Sequence, residues 1–401
     1  MNKLSIVGGT YKEYSIEPPH DEIYGSGLRA VQLILESSTA KVSYKTVGNK
    51  TVQNLLENYK NVYPNISYEI IETNHLVEFK YGFLLENPDI HPPVDSFKTK
   101  PTINLSEDNY IIFGMLDAEV SGKANKVVYD PQNTYNPTKF SSKCSAKQVI
   151  YIVNRAEAKA ISEENNIKSI LDFFFDKENV YALIIKDGPF GVELYKDKKL
   201  VKTAPVFKTK NVFKIGSGDI FTTTFAYHWF VKELNIETCL YKASLTTAHY
   251  CNSASVCNLF NDKEELIPLF INQTVLSNKT IYLAGPIFTL SDLLLIDKIR
   301  DVFLNMNINV FSPYHDVGIG NNKEIATEDL EGIEKADIIF AIVDGLDSGT
   351  LIELGYAMAK GKKIIGYNKT ESNDSLLMLK AGDYTSFEDL TSAIYNTIWS
   401  L

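Results

Sequence analysis

Residues 344–361 read DGLDSGTLIELGYAMAKG, and a glutamate, Glu353, stands between Ile352 and Leu354 in an otherwise apolar run. Leu351, Leu354 and Met358 form a core stripe at helical spacing. Gly355, Ala357 and Ala359 permit close contact with a sheet. Glu353 falls near the start of this helix, where the macrodipole favours a carboxylate. Asp347 precedes it on the same loop, Asp329 lies on the preceding helix, and Tyr282 sits on an upstream strand. Three carboxylates and a tyrosine, with no metal ligand among them, suit glycosidic-bond chemistry. One carboxylate attacks the anomeric carbon and a second carboxyl protonates the leaving group. The alternative is that both aspartates are helix caps or turn residues.

A second string, KIGSGDIFTTTF, places Gly216, Ser217 and Gly218 immediately before Asp219. Amides at a glycine-rich helix start hold phosphate oxygens. An aspartate there takes the proton of an attacking hydroxyl. The plain alternative is an ordinary capped helix.

Both strings need α/β scaffolds to position them. Short β-rich runs alternate with helical patterns along the whole chain, the mark of parallel sheets. Two blocks are expected, residues 1–272 and 278–401. Between them, DKEELIPLFINQTVLSNK reads as a closing helix and a polar linker. In the second block TIYLAG, INVFSP, DIIFAIVDG and KKIIGYN read as strands and predict a small doubly wound sheet. Ser291 and Thr327 are expected N-caps, and Gly361 a C-cap. Ligands of such sheets bind beyond the carboxyl ends of the strands. That rule selects the loop AGPIF, with Gly285, and the turn Ser348, Gly349, Thr350. The turn is suited to a sugar hydroxyl or an anion.

The composition narrows the partners. The chain has 401 residues and a formal net charge of −10, which disfavours nucleic acid as a partner. No apolar run reaches membrane-spanning length, and no secretion signal is visible. Cys144, Cys239, Cys251 and Cys257 form no metal or disulfide frame, so reduced thiols in a cytoplasmic setting are expected. The six histidines form no HExxH, and no protein metal site is expected.

The second block, through IYLAGPIF and EDLEGIEKADIIFAIVDGLDSGTLIELGYAMAKGKKIIGY, resembles the nucleoside 2-deoxyribosyltransferase family. The resemblance implies a flavodoxin-like fold and base exchange between deoxynucleosides. It makes Glu353 the nucleophile, Asp347 a sugar-holding residue, Asp329 the proton handler at the base, and Tyr282 the residue that positions the nucleophile. It implies no cofactor, and a homo-oligomer with shared sites. A related activity, hydrolysis of deoxynucleotides, would need a phosphate cradle, and AGPIFT lacks arginine.

The first block resembles the ribokinase-like (PfkB) family of sugar and nucleoside kinases. That resemblance makes Asp219 the base and Gly216, Ser217 and Gly218 an anion hole. Asn154 and Glu157 of NRAE match the family's N-x-x-E, which organises magnesium and phosphates. The substrate loop falls on YGSGLR, with Gly25, Gly27 and Arg29, and the early substrate-binding acid falls near Glu13. ATP and Mg2+ are the implied cofactors. Four departures stand out: Phe213 and Lys214 replace an Asp-Thr pair, Arg29 replaces an asparagine, Glu13 an aspartate, and Lys186 a threonine. Arg29 suggests a ligand carrying phosphate or carboxylate; pairing with Glu13 is the alternative. The expected whole is a two-domain enzyme of nucleoside or sugar metabolism, part kinase and part glycosyl enzyme. Its rival makes the first block a non-catalytic ligand sensor that regulates the second.

Overall fold

The structure is a computed structural model that describes residues 3–106, 108–134, 137–261, 265–318, 320 and 323–401. The chain divides into two compact units, residues 1–209 with 213–270, and residues 210–212 with 271–401. The short segment 210–212 joins the second unit through its backbone. Val212 N–H donates to Ser392 Oγ at 2.8 Å, and Asn396 Nδ2 donates to the Lys210 carbonyl at 3.3 Å.

The first unit is built on a ten-stranded sheet. An inner strand, Lys3–Val7, is flanked in parallel by Lys41–Gly48 and by Tyr110–Phe113. The sheet continues in parallel through Glu119–Asp130, Cys144–Asn154 and Ala182–Lys186, and ends in an antiparallel hairpin. Alternate residues of one strand serve opposite layers: Ile111 and Phe113 pack with the Gly25–Ser37, Ser217–Phe230 and Ile236–Ser253 helices, while Tyr110 and Ile112 join Ile161 and Phe174. Covering both faces explains the near-continuous apolar runs of these strands. A separate four-stranded sheet carries Lys12–Glu17, and with it Glu13.

The second unit is a five-stranded sheet in the order Asn309–Phe311, Thr280–Ala284, Ile338–Ile342, Ile364–Tyr367, Tyr384–Phe387, all parallel. This is the flavodoxin-like order, with its switch point between the first and third strands in sequence. Ile338–Ile342 is apolar and buried throughout, as a central parallel strand must be.

Several local expectations change. Tyr384–Phe387 is a fifth strand that the sequence pattern did not announce. The cap of the Leu290–Asn305 helix is Thr289, not Ser291: its side chain accepts the Asp292 N–H while Asp292 reaches back in a capping box. Thr327 lies inside the Lys323–Lys335 helix, where its hydroxyl donates to the Lys323 carbonyl. Gly361 takes φ +67 and donates to the Met358 carbonyl, ending its helix as expected. The expected closing helix does not form over Ile267–Leu269, which pairs as a strand with Val206–Lys208; its residues 262–264 lie outside the described residues. Pro268 lacks the N–H a helix interior needs, so an edge strand is its better place.

No helix among the described residues is long and apolar enough to cross a membrane.

Candidate active sites

In the second unit Tyr282 is fully buried on its strand and stacks on Phe311 with ring centroids 5.4 Å apart. Gly332 lets this happen, because a Cβ there would lie 2.4 Å from the Phe311 ring. The stack aims the phenol at the Ser348–Ala359 helix, and Tyr282 Oη donates to Glu353 Oε1 at 2.9 Å. Burial pushes the Glu353 pKa up to about 8; the hydrogen bond from Tyr282 opposes this, and the charges of Asp329 and Asp347 add to it. Burial and the Glu353 carboxylate together drive Tyr282 far above the usual phenol range, so it remains a donor.

Asp329 has a buried carboxylate oxygen, Oδ1, with no hydrogen-bond partner. Burial, aided by Glu328, raises its pKa. Asp347 caps the Glu353 helix: its Oδ2 accepts from Thr350 N–H at 2.8 Å and Thr350 Oγ1 at 3.0 Å. The capping alternative therefore holds for Asp347, although its charge still acts on Glu353. Ser348 and Gly349 are exposed in the first turn of the helix, and Thr350 is buried under the cap. Gly285 sits at a tight packing point, where a Cβ would come 3.1 Å from Ile296 and Ile342.

Two acids missed in the sequence hold this loop. Asp344 accepts from the amides of Lys369 and Thr370, each at 2.8 Å, and Glu371 accepts from Gly345 N–H at 3.1 Å. Their partners are some 25 residues away in sequence, and no local motif marks them.

The first unit holds a cavity of about 880 Å³, within the range of small-molecule sites. Gly25, Glu13, Asp130, Glu157, Lys186 and Asp219 are among its lining residues, as are Gly216 and Gly218. Asp219 lies in the first turn of the Ser217–Phe230 helix. Its two oxygens accept from Arg29 Nη1 at 2.8 Å and from Gln132 Nε2 at 2.6 Å. Burial pushes its pKa up to about 6, with Arg29 pulling the other way. Gln132 carried no signal in the sequence.

Arg29 does not reach the ligand space. It is 1% exposed, is absent from the cavity lining, and binds Glu13 with both terminal nitrogens as well as Asp219. The alternative that the sequence left open for Arg29, pairing with Glu13, is the arrangement the structure shows, and its fork is filled from within the unit. Gly27 is a packing glycine, with its Cβ position 2.7 Å from the Gly8 backbone.

Asn154 and Glu157 form a capping box: Asn154 Oδ1 accepts from Glu157 N–H at 2.8 Å, and Glu157 Oε2 from Asn154 N–H at 2.7 Å. Burial pushes the Glu157 pKa up to about 7, and Asp130 adds to the shift. Lys186 Nζ lies 2.8 Å from Asp130 Oδ2 and close beside Gly218. Asp130 Oδ1 is buried with no partner. No cluster of three or more metal-ligating side chains occurs among the described residues. Mg2+ needs none, because it binds through one or two carboxylates and keeps several waters. The orphaned Asp130 oxygen and Glu157 fit such an ion. Lys186 and the Gly216–Gly218 turn at a helix start fit the phosphates of a nucleotide.

Comparison with known proteins follows the two units. Residues 116–263 match the family model described as pfkB family carbohydrate kinase, and residues 281–383 match nucleoside 2-deoxyribosyltransferase. An uncharacterized protein of Ureaplasma parvum serovar 3 is 30% identical over 98 residues, 21% of this chain, and the match spans 62% of that protein. Among solved structures, a ribokinase from Thermotoga maritima has TM-score 0.47 and 16% identity, over 64% of this chain and 95% of that one. A nucleoside kinase from Methanocaldococcus jannaschii has TM-score 0.47 and 17% identity, over 64% of this chain and 94% of that one.

Proposed function

Since this chain carries a pfkB-family carbohydrate kinase segment followed by a nucleoside 2-deoxyribosyltransferase-family segment, we propose that it is a two-part enzyme of nucleoside metabolism. The second unit cleaves or transfers the N-glycosidic bond of (deoxy)nucleosides. The first is an ATP- and Mg2+-dependent sugar or nucleoside kinase.

The hydrogen bond from Tyr282 to Glu353 carries the first part of this reading. A Glu353 carboxylate oxygen attacks the anomeric carbon. The carbon–nitrogen bond breaks, and its electron pair leaves with the base. Asp329, whose pKa is raised, gives the base its proton. The resulting glycosyl ester is then opened by a second base or by water, whose proton passes to the Asp329 carboxylate while the Glu353 carboxylate is released. A buried donor such as Tyr282 favours the ionised form of the attacking carboxylate and orients it.

The rim favours a neutral nucleoside over a nucleotide. Asp347 already fills the helix start, where a phosphate would bind; Asp344 stands on the same loop, and Glu371 reaches its Gly345 amide from the segment after Ile364–Tyr367. The exposed side chains of Phe288, Leu290 and Ile352 support a homo-oligomer, which sedimentation velocity would test.

The deciding assay incubates the protein with a deoxynucleoside, with and without a second base, and follows products by chromatography. A new nucleoside means transfer, and free base with no exchange means hydrolysis. Glu353→Ala should abolish both. No reaction with any nucleoside or nucleotide would defeat the proposal. For the first unit, ATP turnover with sugars or nucleosides that Asp219→Asn abolishes supports the kinase. Binding of those ligands with no turnover supports the ligand-sensing alternative.

A further inference from the structure

Arg29 is the feature of the first unit that the kinase reading does not absorb. It stands on the Gly25–Ser37 helix, Glu13 on Lys12–Glu17, and Asp219 on Ser217–Phe230. The guanidinium binds both carboxylates, and it also packs flat against the turn before Asp219: a Cβ on Gly216 would lie 2.1 Å from Arg29 Nε. The Arg29 guanidinium carbon also lies over the Tyr24 ring, 4.9 Å from its centroid. Glu13, Gly216 and Asp219 line the cavity, whereas Arg29 does not. The cation is therefore behind the acids rather than between them and a ligand.

We propose that Arg29 is a positioning residue: from behind the cavity wall it holds Glu13 and Asp219 as one oriented, ionised carboxylate pair. The inference rests on the kinase reading of the first unit. A carboxylate has about four lone-pair directions. Arg29 and Gln132 each use one at Asp219, which leaves the cavity side of the carboxylate able to accept a hydroxyl proton. A bidentate fork fixes plane as well as distance, which lysine could not do. It also leaves neither acid as an uncompensated buried charge.

Other charged groups act on Asp219 and bear on its titration. Glu13 and Asp130 raise its pKa. Lys186, Glu157, Tyr81 and Tyr250 also interact with it, from four further elements. Arg29 and Glu13 thus push in opposite directions, and this gives the test its signs.

The experiment titrates Asp219 in the full chain by carboxyl carbon NMR on aspartate-labelled protein, with Asp219→Asn identifying the signal. Arg29→Gln should move the Asp219 midpoint up by roughly one to three pH units. Glu13→Gln should move it down, since Arg29 then serves Asp219 alone. Arg29→Lys, which keeps the charge and loses the fork, should fall between the unaltered chain and Arg29→Gln. An unchanged midpoint in Arg29→Gln, or shifts of the same sign in Arg29→Gln and Glu13→Gln, overturns the proposal. If Arg29→Gln does not fold, Glu13→Gln decides by itself, and no downward shift overturns it. As a second readout, the acid limb of kcat for phosphoryl transfer should follow the same order with KM for ATP unchanged. If the unaltered chain transfers no phosphate, the kinase reading falls, and the NMR titration still decides the role of Arg29.

Discussion

Tyr282 and Glu353 are 71 positions apart in sequence, and the phenol donates to the carboxylate across 2.9 Å. The bond joins the first strand of the second unit to the helix after its third. It sets a donor that stays protonated against an acid that must lose its proton to act. Removing the donor in Tyr282→Phe should lower kcat roughly 10- to 100-fold, the weight of a hydrogen bond to a charged group. It should also move the acid limb of the rate profile to higher pH. A pH–rate profile that keeps its midpoint would contradict this.

The unaltered enzyme should be limited by Glu353 itself. With its pKa pushed up to about 8, the free enzyme carries a mostly protonated nucleophile at neutral pH. Glycosyl activity, read as kcat/KM, should therefore rise with pH and level off above about 8. A flat profile between pH 6 and 9, roughly the span in which such a group titrates, would argue against Glu353 as the ionising group.

The same shift has a cost in stability. The folded pKa of about 8 lies above the ordinary 4.5 of a glutamate, so the fold prefers the proton. The favourable contribution is full below pH 4.5 and is lost as pH rises through 8. Glu353→Gln should thus abolish activity and yet stabilise the second unit above pH 8. The gain is on the order of 1–2 kcal/mol once the partial exposure of the side chain is allowed for. Thermal melts at pH 5 and pH 9 should show the gain only at the higher pH, a choice of conditions that brackets roughly the same titration.

Asp329 and Asp347 should separate by function. Asp329→Asn removes a proton donor, and kcat should drop about 10²- to 10⁴-fold, with much of the loss recovered on substrates with better leaving groups. Asp347→Ser keeps a side-chain cap on the Glu353 helix, so stability should hold. Asp347→Ala should lose about 1 kcal/mol through the cap alone. Denaturant melts and single-turnover rates on the three variants distinguish the roles.

Gly216 takes φ +73, and a Cβ there would run into Arg29. Gly216→Ala should cost the first unit about 1–2 kcal/mol for the left-handed backbone, plus the displacement of Arg29. Ligand binding to the first unit should fall, and the glycosyl activity of the second unit should survive. Loss of both activities together would refute this separation.

The sequence by itself determined the α/β class of both units and the order of strands and helices around Glu353. Apolar runs and helical stripes are local, and burial on both sides of a parallel sheet prints them directly into the chain. It also placed Asp219 in the first turn of its helix, where the fold keeps it, whereas Asp329, expected at a helix start, lies in the middle of Lys323–Lys335. The fifth strand, Tyr384–Phe387, was illegible because it mixes polar and aromatic residues at a sheet edge. The cap at Thr289 lies two residues before the expected Ser291 because several hydroxyls near a helix start compete for the same amides, whereas the helix expected to start at Thr327 already runs from Lys323. For Arg29 the sequence offered a ligand or Glu13 as partner and could not choose between them, and it did not announce Asp219. Asp219 is 190 positions from Arg29, and a guanidinium beside two acids binds whichever carboxylate the fold brings closest. Only the tertiary structure decided that its charge is satisfied behind the cavity wall, because ion pairing acts through space and leaves no periodicity in the chain.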